Sequence, residues 1–355
     1  MNNKFDERYD IRLAEKSDID AIMQFIDNYW KKDHILSKDK TLFEYEFLDG
    51  NQVNMILAID RVTKQIEAIF GFLYCSHTSD MSRRDLWGSL WKVVDEHDNL
   101  PFLGVELAKR IYDITNCRMH IGNGANPKTT IPLRRIFFGD KTDRMKQYYC
   151  LNPDKDEYKV CDIKKKIHKD FIGEKCLKEV VEFKTMEELK KCFDIETYDV
   201  FPYKDNWYIN KRYFQHPYYT YKLYGLKDEN GVEAVVVCRE VEVYGVKILR
   251  IMDYLGEHNI FCETGKFWHN LMKQEQYEYV DFYEYGMDDD ILEKAGFTYR
   301  DDEDLNIIPN YFEPFVKENV DIWVHYKFEG TTFFKADCDQ DRPNVYRVNA
   351  KGVCV

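Results

Sequence analysis

Apolar residues in the first half of the chain recur at spacings that distinguish helices from strands. After Ser17, which is suited to cap a helix, Ile19, Ile22 and Phe25 follow at helical spacing. Further along, apolar runs separated by turn residues indicate antiparallel strands. The predicted order is strand Tyr9–Leu13, helix Ser17–Trp30, strands Val53–Ile59, Ile66–Cys75 and Leu86–Val94, helix Leu103–Ile114, strand Met119–Gly122 and helix Pro132–Phe138.

The second half of the chain repeats this order of elements without repeating the residues. A turn at Asp228–Gly231 separates two apolar runs, and Pro217 ends the helix that precedes them. The predicted order is helices Met186–Phe193 and Trp207–His216, strands Tyr218–Leu226, Val232–Val243 and Lys247–Leu255, helix Thr264–Gln274, strand Tyr277–Tyr285 and helix Ile291–Ala295.

Two similar halves predict a mixed α/β fold with two tandem domains, each a mostly antiparallel sheet flanked by helices. The length of 355 residues suits two domains, and 44% hydrophobic residues suffice for two cores. We place the domains at residues 1–152 and 186–355. Residues 153–185 are charged and have few long apolar runs, so we interpret them as a linker or small connecting segment.

The composition favours a reduced, metal-free protein of the cytoplasm. Ten cysteines stand without a Cys-x-x-Cys pair, which fits neither a zinc site nor a disulfide framework. Met1–Asp10 lacks an apolar signal region, and no stretch approaches the roughly 18 apolar residues of a membrane span. The net charge of −13 repels a polyanion, despite the basic run at Lys164–Lys169. We therefore expect no metal, membrane or nucleic-acid partner.

Three ionisable side chains are candidates for a general base. Asp253 lies in the apolar run Ile248–Leu255, where strand alternation puts apolar residues such as Ile251 on its face. A carboxylate among apolar neighbours has a raised pKa unless it is paired, which suits proton transfer near neutral pH. A structural aspartate held by backbone N–H groups is the alternative. His34 and His97 are the other candidates, although a lone histidine is more often structural.

A dense group of polar side chains lies late in the sequence. Arginine and lysine suit a diphosphate, while aspartate and glutamine suit sugar hydroxyls or a pyrimidine N–H. The alternative is a solvated loop, and the spacing of the aspartates does not match a calcium-binding loop. The group consists of Lys335, Asp337, Asp339, Gln340, Asp341 and Arg342, followed by Pro343.

Three segments resemble the GNAT superfamily of N-acyltransferases. Trp91–Leu107 is similar to its splayed strand and following helix, with Gly104 where a loop glycine stands. Gly122–Gly139 and Ala295–Phe297 are similar to its last strand and closing helix, and Asn126 matches an asparagine that commonly follows that strand. The resemblance implies that acyl-CoA lies between two splayed strands, with its pyrophosphate at the helix N-terminus.

Coenzyme A, as acyl-CoA, is therefore the expected cofactor. We expect it in the first domain, because only this half has both Gly104 and Asn126 at the places that the superfamily uses. A backbone N–H near Val94 would stabilise the oxyanion, and the segment Asp95–His97 would point at the thioester. The residues expected to contact CoA are Val93, Val94, Asp95, Leu103, Gly104, Val105 and Asn126.

A narrower resemblance is to tandem-GNAT, Fem-like proteins of bacterial polysaccharide gene clusters. It rests on Trp30 with His34–Leu36, on Arg250–Gly256 and on Phe333–Asn344, where such proteins often have Gly in place of Cys338. The most similar of them are nucleotide-sugar N-acyltransferases. The resemblance implies a sugar-nucleotide site formed by Trp30, Tyr254, Asp281, Tyr283, Lys335, Asp337, Asp339, Gln340, Asp341, Arg342 and Asn344.

The implied reaction transfers an acyl group from CoA directly to the amine of a dTDP-linked 3-amino-3,6-dideoxyhexose, or a similar sugar, for surface polysaccharide (O-antigen) biosynthesis. A thioester is already activated, so no covalent acyl-enzyme is needed. One alternative is a Fem-type aminoacyltransferase that uses aminoacyl-tRNA, which the acidic net charge disfavours. Another is a non-catalytic protein that binds CoA or a nucleotide sugar. A homo-oligomer is compatible with each of these functions.

Overall fold

A computed structural model describes residues 3–169, 171 and 179–344. Eighteen strands are formed within these residues. They are β1 (Tyr9–Glu15), β2 (Leu48–Asp49), β3 (Gln52–Asp60), β4 (Ile66–Tyr74), β5 (Asp85–Val93), β6 (Met119–Asn123), β7 (Lys141–Arg144), β8 (Lys146–Leu151), β9 (Glu179–Phe183), β10 (Tyr221–Lys227), β11 (Val232–Val243), β12 (Val246–Gly256), β13 (Tyr279–Tyr285), β14 (Thr298–Tyr299), β15 (Tyr311–Phe312), β16 (Phe315–Val316), β17 (Trp323–Tyr326) and β18 (Phe333–Phe334).

Ten α-helices accompany the strands in the same part of the chain. Three of them continue as single π-helical turns, at residues 26–30, 134–138 and 210–214. The helices are α1 (Lys4–Arg8), α2 (Ile19–Phe25), α3 (Ile35–Lys38), α4 (Lys40–Phe47), α5 (Leu103–Thr115), α6 (Thr130–Leu133), α7 (Met186–Cys192), α8 (Asn206–Ile209), α9 (Gly265–Glu275) and α10 (Asp289–Lys294).

The first sheet has the strand order β1-β3-β4-β5-β6-β17-β7, and β2 also pairs with β3. The pairs from β1 to β5 are antiparallel, whereas β5 and β6 are parallel. One face is covered by α5, whose Leu103, Leu107 and Ile111 pack on Ile56 and Phe70 in a buried cluster. The helix therefore holds β4 and β5 from one side, and its first turn lies beside the end of β5.

The second sheet has the strand order β14-β8-β13-β12-β11-β10-β9, and β18 also pairs with β13. Here β12 and β13 form the parallel pair, as β5 and β6 do in the first sheet. Trp268 and Met272 of α9 pack on Ile251 and Phe282 in its core. The mixed α/β fold with two mostly antiparallel sheets, predicted from the sequence, is confirmed.

The chain divides into two compact units whose segments alternate along the sequence. The described part of the first unit comprises residues 3–142, 324–327 and 342–344. The second unit comprises the described residues of 143–323 and 328–341. This division differs from the predicted boundaries, because β8 belongs to the second sheet and β17 pairs with β6 of the first.

Residues 153–185 were expected to be a linker, and their described parts are integrated in the second unit. Val160 and Cys161 are buried in its core, and β9 pairs with β10 at the sheet edge. The remainder of this segment, at 170 and 172–178, lies outside the described residues.

Candidate functional site

Two parallel strands of the first unit diverge after three residue pairs. Asp85 pairs with Met119, Leu86 with His120 and Trp87 with Ile121, where the parallel ladder ends. A bulge opposite Gly71, between the Phe70 and Phe72 pairings, turns β5 away at this point. We call the space between β5 beyond Trp87 and β6 beyond Ile121 the first gap. Among the described residues, no strand pairs with β5 across it.

The far end of the first gap meets the start of α5. Trp91 Nε1 donates to Gly104 O at 3.0 Å. A Cβ on Gly104 would lie 2.8 Å from Trp91 Nε1, so only glycine permits this approach of strand and helix. The first turn of α5, with its N–H groups and positive dipole end, therefore faces the end of β5. Such a helix start is suited to bind a phosphate.

The loop from Val94 to Phe102 is held by contacts that do not involve the gap. His97 Nδ1 lies 2.7 Å from Glu67 Oε2, and Asn99 Nδ2 donates to the same oxygen at 3.1 Å. Val94 N–H donates to Glu67 O at 2.9 Å. The N–H of Val94 itself is thus engaged within the sheet, so it is not available to stabilise an oxyanion.

The loop also lies at the helix end of the gap. From Gly88 to Val94 the strand spans about 20 Å. If a pyrophosphate binds at the start of α5, the thioester lies towards Gly88, far from His97 and Asp95. The exposed Asp95 instead forms an ion pair with Lys92 of β5. This geometry argues against the expectation that Asp95–His97 points at the thioester.

The remaining candidates of the first unit shape turns or lie at the surface. Asn126 Oδ1 accepts from Lys128 N–H at 2.8 Å and orders the turn before α6. His34 is buried, and its Nδ1 accepts from Leu36 N–H at 3.2 Å as the cap of α3. Trp30 is exposed at the end of the turn that follows α2.

A cluster of buried polar groups lies at the divergence point, and sequence reasoning missed it. Arg134 is fully buried and forms an ion pair with Asp140 at 2.7 Å. Its NH1 lies 3.2 Å from His120 Nδ1, and Asp140 Oδ2 lies 3.0 Å from His325 Nδ1. A Cβ on Gly88 would lie 2.6 Å from His120 Nε2. The cluster thus brings an imidazole of β6 to the beginning of the first gap.

The equivalent space of the second unit, between β12 beyond Ile251 and β13 beyond Phe282, is called the second gap. Here β18 pairs with Glu284 and Tyr285 of β13, on the side where β12 has diverged. Ala336 N–H then donates to Met252 O of β12 at 2.7 Å. Residues 333–336 therefore fill the second gap.

The start of α9 is also covered by the chain itself. Phe171 Cβ lies 2.3 Å from the place where a Cβ on Gly265 would stand, and Phe171 Cγ lies 2.7 Å from it. Gly265 is the first residue of α9, the counterpart of α5. Phe171 thus covers the start of α9 within the second unit.

The architecture described above recurs in solved structures. Neither a protein-family model nor a curated protein sequence matches the chain. A probable N-acyltransferase of Enterococcus faecalis superposes with a TM-score of 0.53 at 9% identity, over 89% of this chain and 71% of that one. A GCN5-related N-acetyltransferase of Anabaena variabilis gives 0.52 at 10%, over 90% and 72%. The chain has the GNAT fold.

Asp253 lies in the second half of this GNAT architecture, and its surroundings differ from those predicted. A bulge at Met252 breaks the strand alternation, because Cys238 pairs with Ile251 and Val237 with Asp253. Asp253 does not face apolar neighbours alone. Both of its oxygens lie 2.8 Å from Lys204 Nζ.

Two further groups complete the surroundings of Asp253. Tyr213 OH also donates to it, and Lys204 Nζ lies 2.7 Å from Asp337 Oδ1. All four side chains are buried. The cluster has the form of a structural ion-pair network. Among the contacts of the described residues, the only backbone N–H that donates to the Asp253 carboxylate is that of Tyr254, at 2.8 Å.

The late polar group is packed into the GNAT scaffold rather than solvated. Lys335 Nζ donates to Gln340 O at 3.2 Å. Burial is the main cause, and the positive charge of Arg250 a second one, that lowers the pKa of Lys335 to about 7. Asp341 accepts from Tyr221 OH at 2.7 Å and pairs with Arg239 at 2.8 Å. The partners of the segment's charged side chains are thus residues of the protein itself.

The other members of the predicted sugar-nucleotide site are distributed between the two units. Arg342 forms an ion pair with Glu46 of the first unit, and Gln340 Nε2 donates to Asp339 Oδ1 at 3.4 Å in the second. Asn344 is the last described residue and is half-buried. The structure therefore does not bring the whole set together within one unit.

Three buried residues of the predicted site have internal partners in the second unit. The Asp281 carboxylate accepts two hydrogen bonds from Arg250, from Nε at 3.0 Å and from NH2 at 2.9 Å. Tyr283 OH donates to Val320 O at 3.2 Å, and Tyr254 OH donates to Glu257 O at 2.6 Å. These contacts stabilise the core of the second unit around its parallel strand pair.

Metal-binding clusters and membrane-spanning helices are absent from the described part of the chain. Within residues 3–169, 171 and 179–344, no three His, Cys, Asp or Glu side chains are arranged to hold a metal ion. No helix of that same part is long and apolar enough to cross a membrane.

Proposed function

We propose that the chain is an acyl-CoA-dependent N-acyltransferase whose acyl donor binds in the first gap. The observation that carries this proposal is the difference between the two gaps. Residues 333–336 and Phe171 occupy the second gap and its helix start. In the described part of the first unit, no strand fills the first gap and α5 begins beside its end. One of two equivalent positions thus suits a long, phosphate-bearing ligand.

The proposed orientation follows from the first gap alone. The pyrophosphate lies at the start of α5, where Gly104 permits a close backbone approach. The pantetheine arm extends along β5, and the thioester reaches the divergence point at Gly88. Of the residues proposed from the sequence to contact CoA, Val93 ends β5 and Leu103 begins α5, where Leu103 packs in the buried core. Asn126 instead orders the turn before α6.

The proposed reaction is direct acyl transfer to an amine. The amine nitrogen forms a bond to the thioester carbonyl carbon, the C–S bond breaks, and CoA leaves as its thiolate. The proton that the amine loses balances the charge of the thiolate. Positioning of amine and thioester supplies much of the rate, because it makes a bimolecular step effectively unimolecular.

For the acceptor we propose the amine of a nucleotide-linked amino sugar, such as a dTDP-linked 3-amino-3,6-dideoxyhexose. Its support is the sequence resemblance of Arg250–Gly256 and Phe333–Asn344. In the second unit the charged side chains of the later segment bind one another and the core. We therefore propose that this segment contributes to acceptor binding by ordering the second unit, and not by direct contacts from its charged side chains.

The experiment is an assay of CoA thiol release from acetyl-CoA and longer acyl-CoAs, with dTDP- and UDP-linked amino sugars as acceptors. We expect release that depends on both substrates, and acetyl-CoA affinity measurable by calorimetry. Turnover with aminoacyl-tRNA instead would identify a Fem-type aminoacyltransferase. Binding of CoA without release for any amine would leave a non-catalytic binding protein, and no CoA binding at all would refute the proposal.

A further inference from the structure

His120 is the side chain of β6 that reaches the beginning of the first gap. In the parallel ladder it pairs with Leu86, one pair before the ladder ends. Its ring crosses over Gly88, since a Cβ on that residue would lie 2.6 Å from His120 Nε2 and 3.4 Å from Cε1. Any larger residue at position 88 would collide with the imidazole. The glycine therefore leaves room for Nε2 at the point where the strands diverge.

The contacts of Nδ1 determine which tautomer His120 adopts. Arg134 NH1 lies 3.2 Å from Nδ1, and Arg134 NH2 donates to His120 O at 2.9 Å. A guanidinium group only donates hydrogen bonds, so Nδ1 must accept. Burial, and to a lesser degree the positive charge of Arg134, holds the pKa of His120 well below its ordinary value of 6.5, so the ring is neutral. The single proton of the neutral ring is therefore on Nε2.

This N–H is buried and has no acceptor. His120 is fully buried, and its Nε2 makes no hydrogen bond in the described part of the protein. A buried donor without an acceptor is costly, and such groups are rare in folded proteins. The groups that surround the ring are Arg134, the His325 ring at 6.1 Å, the Tyr112 ring at 6.1 Å and Phe70 at 5.1 Å. None of them accepts a hydrogen bond from Nε2–H in the described part of the chain.

The neighbouring His325 has the opposite tautomer. Its Nδ1 lies 3.0 Å from Asp140 Oδ2, a carboxylate that accepts, so the proton of the neutral ring is on Nδ1. Burial and the charge of Arg134 lower the pKa of His325 to about 4, which keeps this ring neutral as well. His325 Nε2 is thus a lone pair and cannot replace His120 as a donor. Of these two imidazoles, only that of His120 can donate at the divergence point.

We propose that His120 Nε2–H donates a hydrogen bond to the carbonyl oxygen of the bound acyl thioester. This inference rests on the proposed function, in which the thioester lies near Gly88. As the amine attacks the carbonyl carbon, the oxygen gains negative charge and the hydrogen bond strengthens. The charge returns to sulfur when the C–S bond breaks. A neutral imidazole fixed by Arg134 is a preorganised donor, which is the property that stabilises such an oxyanion.

Two conservative variants separate this role from a structural one. His120→Asn places an oxygen near the position of Nδ1, so it can still accept from Arg134, but it has no donor that reaches Gly88. His120→Gln places an amide N–H₂ near the position of Nε2, so it retains the donor and loses the acceptor for Arg134. A structural role would favour Asn, whereas the proposed role favours Gln.

The experiment measures the affinities of the full-length wild type and both variants for acetyl-CoA and for CoA, by calorimetry. CoA lacks the acyl carbonyl, so it reports the fold and the remainder of the site. We expect His120→Asn to weaken acetyl-CoA binding roughly five- to tenfold, with CoA affinity unchanged, and His120→Gln to retain most of the wild-type preference. His216→Asn is the control, since it replaces a buried imidazole of the second unit and should change neither affinity.

The outcomes distinguish the two proposals. Equal affinities of wild type and His120→Asn for acetyl-CoA would overturn the role of His120 while leaving the proposed function intact. A wild type that binds neither ligand would overturn both. If His120→Asn fails to fold, nitrogen NMR of the wild-type imidazole decides. Nε2 must be the protonated nitrogen, and its proton must shift with acetyl-CoA but not with CoA; an unprotonated Nε2 would contradict the proposal.

Discussion

Glu284 shows how burial changes the titration of a single residue. It lies in β13 with its side chain fully buried, and its Oε2 accepts from Met287 N–H at 2.9 Å. Its Oε1 has no hydrogen bond among the described residues. Burial raises the pKa of Glu284 to about 8, so the carboxyl group is mostly protonated at neutral pH. The folded protein therefore holds a proton that the unfolded chain releases above pH 4.5.

We predict that Glu284→Gln removes a pH-dependent loss of stability. Because the folded pKa is raised, stability falls as the pH rises from about 4.5 towards 8, and glutamine does not titrate. The unfolding free energy of the variant relative to wild type should increase by about 2–3 kcal/mol between pH 5 and pH 7. Urea unfolding at both pH values measures it, with the exposed Glu303→Gln as control. A difference that does not change with pH would contradict the burial argument.

Residue type and local pattern identified some charged residues and missed others. Asp253 attracts attention because it interrupts an apolar run, but its partner Lys204 lies 49 positions away. His120 stands in a short apolar segment like any core histidine, and its partner Arg134 lies 14 positions later. Ion pairs between distant positions depend on the tertiary fold, so the roles of these residues could not be derived from the sequence.

At the scale of elements, the long strands and helices were predictable and the short or irregular ones were not. Periodicity indicated α5 and β12 close to their observed bounds. The bulge at Met252 leaves no signal in an apolar strand, and it changes which side chains share a face. The two-residue strand β18 is too short to show a period, although it fills the second gap.

The bulge and β18 together define the role that we assign to Asp253. They bring Asp253, Lys204 and Asp337 into one buried cluster. We predict that Asp253→Asn destabilises the second unit by about 3–5 kcal/mol, because it leaves Lys204 with fewer compensating charges. Thermal and urea unfolding of the purified variant measure the loss.

The double variant Lys204→Met with Asp253→Asn is the matched control. Burial raises the pKa of Asp337 and the charge of Lys204 lowers it, so the removal of Lys204 raises this pKa further. The double variant should therefore lose less unfolding free energy than the sum of the losses of the two single variants. A well-folded Asp253→Asn protein of normal stability with turnover reduced by roughly 10²–10⁴-fold would instead support a general base.

At the scale of the whole molecule, the duplication of architecture was visible in the sequence and the exchange of segments was not. Each half carries helices and an apolar strand pattern, which indicates two sheets. Which sheet a strand joins depends on pairing between distant segments, as for β8 and β13 or β17 and β6. The asymmetry between the two gaps follows from residues 333–336, whose position no local pattern indicates.

The central claim is that acyl-CoA binds in the first gap and not in the second. Hydrogen–deuterium exchange of the full chain with and without acetyl-CoA tests it, because both gaps are read in the same molecule. Bound donor should slow exchange at residues 88–94 and 103–107, along β5 and the start of α5. Residues 252–256 and 265–269, along β12 and the start of α9, should be unaffected. Protection of the second set without the first would contradict the account.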